Sequence, residues 1–235
     1  MIIYYGVDCP VLTGLRIQIP QLVKSSLNFS VDQNEQRHNF HFCPAHIEHN
    51  KNLFYVPALF DYNLWYDKEH DFYRTDYYNQ EVFDKFIDVR VSRMKLLAFL
   101  MPVYILTESN DLEISQLPAY FHANEFTKNT ITIPGTFNVG KWPRPLDFSF
   151  CLLDKIEIKE GDPLYYIKFN TKEPINFKRF IVSDLYKKYI FNFLISTRNL
   201  KRTNYSKLNY FYNFFDKTPK FKDLLLKEVK SNLLD

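Results

Sequence analysis

At 235 residues, 46% hydrophobic and 24% charged, the chain can bury enough apolar surface to offset the conformational entropy of one large domain, or of a domain with an annex, which excludes wholesale disorder. Its longest apolar run, residues 96–106, is about half a bilayer span, so a transmembrane helix is not expected. The net charge of +3 conceals a split: residues 1–165 carry 15 basic and 21 acidic side chains, residues 166–235 carry 15 basic and six acidic ones, and the basic part must either dock on the acidic body or meet an acidic partner.

Aromatic residues make up 18% of the chain, with 23 Phe and 17 Tyr against five Gly, which favours pleated, half-buried surfaces over helix interiors. AT-rich coding sequence enriches the same residues, so composition is a prior and no more. The first ten residues have neither a basic n-region nor a long apolar h-region, and Cys9, Cys43 and Cys151 are odd in number and far apart. Both features fit reduced thiols and a cytoplasmic folding site without a secretory signal.

Strands are expected from residue 15 onward. Residues 15–20 alternate apolar and polar, and further short runs stand at 53–56, 96–106, 130–133 and 148–152. Pro102 would cost a helix over 96–106 about 3 kcal/mol, and within a strand it points to an edge or a bulge. Residues 155–159 alternate into the turn Glu160-Gly161-Asp162-Pro163, after which 164–169 resumes as an aromatic strand. Together these read as a β hairpin, with Gly161 at positive φ. The expected fold class is mostly β, a β-sandwich or jelly-roll-like body over residues 1–178.

The hydrophobic period changes at Ser183. Leu185, Tyr186, Tyr189, Ile190, Phe193 and Leu194 share one helical stripe behind a Ser cap, and Leu208, Phe211 and Phe215 follow at helical spacing. Thr218-Pro219 then opens a third stretch carrying Phe221, Leu224, Leu225 and Val229. Three short helices are expected, forming a basic segment over residues 179–235 that packs on the body.

Four of the six histidines fall within residues 38–49, beside Cys43. A metal ion needs imidazole or thiolate donors converging within about 2.0–2.3 Å of one point, and His41, Cys43, His46 and His49 are the candidate ligands for iron or zinc. If 39–43 is a strand, His41 and Cys43 share a face, and a turn after Pro44 brings His46 or His49 back towards them; His122 or His70 would have to complete an oxygenase-like set. The bland alternative is a buried cysteine beside surface histidines. Asp162 between Gly and Pro is turn chemistry before it is a general base. P-loop, dinucleotide-fingerprint, nucleophile-elbow and paired-carboxylate patterns do not occur. Lys187, Lys188, Arg198, Lys201, Arg202 and Lys207, set among Tyr and Phe, are candidates for contact with nucleic acid or an acidic protein, as is Trp142 between Lys141 and Pro143-Arg144. The alternative is a solvated helical face whose aromatics pack inward.

The segments Cys43-Pro44-Ala45, Lys51-Asn52-Leu53-Phe54, Phe60-Asp61-Tyr62, Ile133-Pro134-Gly135-Thr136-Phe137-Asn138-Val139-Gly140-Lys141-Trp142 and Glu160-Gly161-Asp162-Pro163-Leu164-Tyr165-Tyr166 resemble uncharacterised proteins of T4-like cyanophages and related marine phages. More distantly, the order of a Cys-Pro element, an Ile-Pro-Gly element and a Gly-Asp-Pro turn is similar to the bacterial family DUF6065. The resemblance covers residues 40–170 and implies a phage genome and a shared fold; it carries no catalytic residue across.

The leading expectation is a non-enzymatic phage protein, a virion structural or protein-interaction module acting in the host cytoplasm or in the particle. Its expected partners are phage or host proteins or further copies of itself, with no membrane and no obligatory cofactor. The competing expectation is a metal-dependent jelly-roll enzyme, cupin-like or an iron/2-oxoglutarate oxygenase, using the cluster at residues 38–49. Nucleic-acid binding by the basic tail is the third.

Overall fold

The computed structural model describes residues 1–8, 43–58, 60–76, 86–91, 95–100, 103–203 and 208–234. These form four sheets followed by a helical segment, the mostly β body and C-terminal helices expected from the sequence. The predicted strand at 15–20 and the position of Pro102 lie outside the described residues.

The most deeply buried sheet has the order β10-β8-β14-β2, with β2 at Leu53–Pro57, β8 at Glu113–Pro118, β10 at Gly135–Asn138 and β14 at Pro163–Phe169. All its pairings are antiparallel. Every residue of β2 is buried, which is why that segment reads as an unbroken apolar run and not as an alternation. Phe54 and Val56 face the main core, while Leu53 and Tyr55 join Ala119 and Tyr166 in a separate cluster on the other side.

A second antiparallel sheet, β5-β6-β12-β9, comprises Ile87–Val91, Leu96–Phe99, Phe148–Leu152 and Thr130–Ile133. Phe99, Phe148 and Phe150 turn inward, and the Phe148 ring lies 4.2 Å from Tyr165 of β14. Each such fully buried side chain contributes about 1.5–3 kcal/mol of transfer free energy. The predicted run at 96–106 is two strands in different sheets, β6 in this one and β7, Val103–Leu106, in the next.

The third sheet, β11-β7-β1-β15, joins Arg144–Pro145, β7, Ile2–Val7 and Asn176–Phe180, with β1 and β15 parallel. Its two faces bury different partners: Ile3 and Ile105 enter the main core, whereas Tyr4 and Leu106 meet the helices. The fourth sheet, β13-β3-β4, comprises Ile156–Ile158, Tyr62–Asp67 and Phe72–Arg74.

The hairpin expected at 155–169 is corrected by this topology. Strand β13 pairs with β3, and β14 pairs with β2 and β8, so the Gly-Asp-Pro turn is a corner between sheets. The corner is pinned from outside itself: Gly161 N–H donates to Ala58 O at 2.9 Å, Ala58 N–H to Asp162 O at 2.8 Å, and Glu160 N–H to Asp61 Oδ1 at 2.6 Å. Gly161 has φ 87, as its turn requires. The Asp162 carboxylate accepts the Lys159 N–H at 3.0 Å, which is turn chemistry.

Helices α1 (Pro44–His49) and α2 (Glu125–Asn129) are single turns within the body. The helical segment consists of α3 (Asp184–Thr203), α4 (Leu208–Tyr212), α5 (Phe214–Lys217) and α6 (Pro219–Ser231). Ser183 caps α3 as expected, its hydroxyl accepting the Tyr186 N–H at 3.1 Å. Thr218 does not cap α6; its hydroxyl donates back to Phe214 O at 2.8 Å, leaving Pro219 to set the first turn. Tyr186, Ile190, Phe180, Leu225 and Val229 form the seam between helices and body. The expected boundary at 178/179 falls inside β15, so the segment is continuous with the third sheet.

Candidate functional site

The histidines of the 38–49 segment that the structure describes lead to the outer face of the central sheet. Cys43 is exposed and stands at the N-terminal end of α1, whose first position is Pro44. The helix therefore begins where a strand-turn arrangement was expected, and it carries His46 and His49 to Phe121 and Tyr120, beside the cluster of Leu53, Tyr55 and Tyr166. His41 lies outside the described residues.

The loop after β8 supplies the partners. His49 Nε2 is hydrogen-bonded to the Tyr120 hydroxyl, and the His46 ring lies edge-on to Phe121 at 5.6 Å. His46 Nε2 accepts from Asn50 Nδ2 at 2.7 Å. His122 Nδ1 is 2.6 Å from the Tyr166 hydroxyl, which also accepts the Phe121 N–H at 3.0 Å. Tyr120 and Tyr166 meet edge to face at 5.0 Å, and Tyr55 packs on His122 at 5.6 Å. Three imidazoles thus share an aromatic layer. They do not share a point: among the described residues no three His, Cys, Asp or Glu side chains converge as metal ligands would. His70 stands apart, with Nδ1 3.0 Å from Asp67.

The surroundings of His122 favour its neutral form. Burial lowers the pKa of His122 from its ordinary 6.5, and it raises that of Tyr166 well above 10. The Tyr166 proton is therefore free to be donated to Nδ1. Because the unfolded chain binds a proton near 6.5 and the folded chain resists it, stability should be complete above that pH and decline as pH falls below it. Melting temperature followed from neutral to mildly acidic pH should show that decline, and His122→Gln should flatten it.

The basic candidates divide. Lys187 is turned towards the body, 2.8 Å from Asp8, an ion pair that raises its pKa. Lys188 is exposed. Arg198, Lys201 and Arg202 lie on α3, with side chains outside the described residues, as Lys207 is entirely. Trp142 is only 4% exposed, so its expected contact with a partner is corrected: the ring lies against Tyr212 at 4.3 Å with the Arg144 guanidinium over it at 4.7 Å.

Sequence reasoning missed Lys222. It is 5% exposed, and its ammonium donates to Ser109 O at 2.8 Å, Asn110 Oδ1 at 2.7 Å, Gly140 O at 3.0 Å and Glu108 O at 3.3 Å. Lys230 adds an ion pair to Glu108 at 2.8 Å. Of the two fates open to the basic tail, docking on the body thus accounts for Lys187, Lys222 and Lys230. Comparison with known proteins finds no matching family model, curated protein or solved structure.

Proposed function

We propose that this chain is a non-enzymatic phage-encoded protein, a virion structural or protein-interaction module that uses its helical segment to hold a partner protein. The observation that carries this reading is the outward face of α3. Tyr186, Ile190 and Phe193 are buried against the body, while Leu185, Phe191 and Ile195 are 44%, 61% and 40% exposed, with the exposed Lys188 among them. The spacing of residues 185, 188, 191 and 195 makes one stripe about 15 Å long on a regular helix. Large apolar side chains grouped in this way are costly to leave in water and suit a groove in a second protein.

Charge selects the partner's chemistry. The segment from residue 166 onward has nine more basic than acidic side chains, so an apolar groove with an acidic rim is the complementary surface. The resemblance to phage proteins supports a partner of phage or host origin, and engagement of the histidines by Tyr and Asn partners supports a non-catalytic role.

Purified particles analysed by mass spectrometry, together with pull-downs from infected cells, should recover the protein with a defined partner, and Phe191→Asp combined with Ile195→Asp should abolish recovery without lowering the melting temperature. Absence from particles combined with no partner dependent on Phe191 and Ile195 would refute the reading. Stoichiometric iron or zinc in purified protein would favour the metal-dependent enzyme instead.

A further inference from the structure

A cleft of about 350 Å³ opens between the outward side of β3 and the strand ends of the second sheet, remote in sequence from α3. Trp65, Tyr66, Lys68, Lys95 and Lys155 line it, with Leu152, Leu153 and Asp154 as its floor and rim. That volume is at the small end of ligand sites.

Its chemistry differs from that of the body around it. Residues 1–165 are acidic overall, yet this cleft gathers three lysines against one carboxylate. Among the described residues none of the three is in an ion pair. The neighbouring Asp67 does not neutralise them: burial opposes its ionisation, but hydrogen bonds from His70 and Arg74 outweigh this and hold its carboxyl down at about 2, with its charge committed to those partners.

Trp65 gives the cleft a flat apolar wall, whereas Tyr66, its neighbour on the strand, packs against the main core and donates its hydroxyl to Asp71. Tyr62 and Leu64 of β3 point into the core, whereas Trp65 is half-buried, with the Lys155 ammonium 5.3 Å over its ring. The Lys95 ammonium stands 5.2 Å over the Tyr66 ring. Lys95 itself has φ 48, a left-handed conformation that costs a side-chain-bearing residue about 1–2 kcal/mol and that Gly or Asn would adopt more easily. Its carbonyl accepts the Leu152 N–H at 3.2 Å, which fixes the lysine at the cleft mouth. Ammonium groups with no carboxylate partner among the described residues, gathered beside a half-buried indole ring, suit a ligand that is flat at one end and multiply anionic at the other.

We propose that this cleft binds a nucleotide unit, its base stacked on Trp65 and its phosphate held by Lys68, Lys95 and Lys155. The unit can be a free nucleotide or one residue of a single strand, since both present the same base and phosphate.

Tryptophan emission reads the site directly. The chain has two tryptophans, and Trp142 is buried in the core, so quenching on titration reports Trp65. At about 50 mM salt, adenosine monophosphate or an oligothymidylate should quench emission saturably. Lys95→Gln combined with Lys155→Gln should weaken binding about tenfold or more and reduce the salt slope by about 0.7 for each strand phosphate released. Trp65→Leu, read by the anisotropy of a labelled oligonucleotide, should weaken it too, while Lys159→Gln, outside the cleft, should change nothing.

Equal affinity for mononucleotide and strand identifies a free nucleotide as ligand; affinity for the strand alone identifies single-stranded nucleic acid. Three results would overturn the proposal: no affinity for either probe, affinity unchanged in the lysine and Trp65 variants with melting temperatures equal to wild type, or inorganic phosphate binding as tightly as the mononucleotide.

Discussion

Lys222→Met should lower the unfolding free energy by about 2–4 kcal/mol. Methionine keeps the length and apolar character of the stem, but it removes the ammonium that stands 5.7 Å over the Phe215 ring and withdraws the donor from Glu108 O, Ser109 O, Asn110 Oδ1 and Gly140 O. Acceptors that lose a partner in a buried place keep their desolvation penalty, and that asymmetry sets the size of the effect. Burial also lowers the Lys222 pKa from 10.5, against the pull of the Asp216, Asp223 and Glu108 carboxylates. Urea unfolding of the variant should show an earlier midpoint. A shift of under about 0.5 kcal/mol, the ordinary range for a surface substitution, would mean that the ammonium is not an anchor.

The second large effect is expected on the opposite side of the same contact. A Cβ at Gly140 would lie 2.4 Å from Ser109 O and 2.7 Å from the Asn110 carbonyl carbon, both backbone atoms that no side-chain rotation can clear. Gly140→Ala should therefore displace the 109–110 turn and destabilise by about 3 kcal/mol. Gly6 differs in kind, because the atoms nearest its Cβ, at 2.6 and 2.7 Å, belong to the Phe180 and Val182 side chains, so relief there would fall on side chains buried in the helix seam and not on backbone. Since Gly140→Ala and Lys222→Met disturb one set of oxygens, the double variant should lose less than the sum of the two. Strict additivity in denaturant midpoints would show that the turn and the ammonium act independently.

What the residues disclosed by themselves depended on whether the relevant contact was local. Thr130–Ile133 and Phe148–Leu152 were legible as strands because each is a short run of β-branched or aromatic residues with a period of two; which face is buried was not, since along the first the threonines are buried while Ile131 and Ile133 are exposed. The pairing of residues 156–158 was not, because an alternating strand before a Gly-turn looks the same whether its partner follows at once or lies on β3, some 90 residues earlier. Lys222 read as one more solvated lysine in a basic tail; nothing local tells that three backbone carbonyls from two distant turns surround it. The histidine density at 38–49 drew attention to the right face of the molecule, yet the partners came from Tyr120 and Tyr166, and only the triplet Tyr120-Phe121-His122 could have hinted at them.

The parallel pairing of β1 with β15 joins residues 2–6 to residues 176–180. During synthesis the first strand has its antiparallel neighbour β7 after about a hundred residues, but its other edge stays open until residues 176–180 have been made. Closing so long a loop is slow, and an open edge is a template for pairing with other nascent chains. Refolding yield should consequently fall with protein concentration more steeply than for a body closed by neighbouring hairpins, and a partner that shields this edge early would act as an assembly factor as much as a ligand.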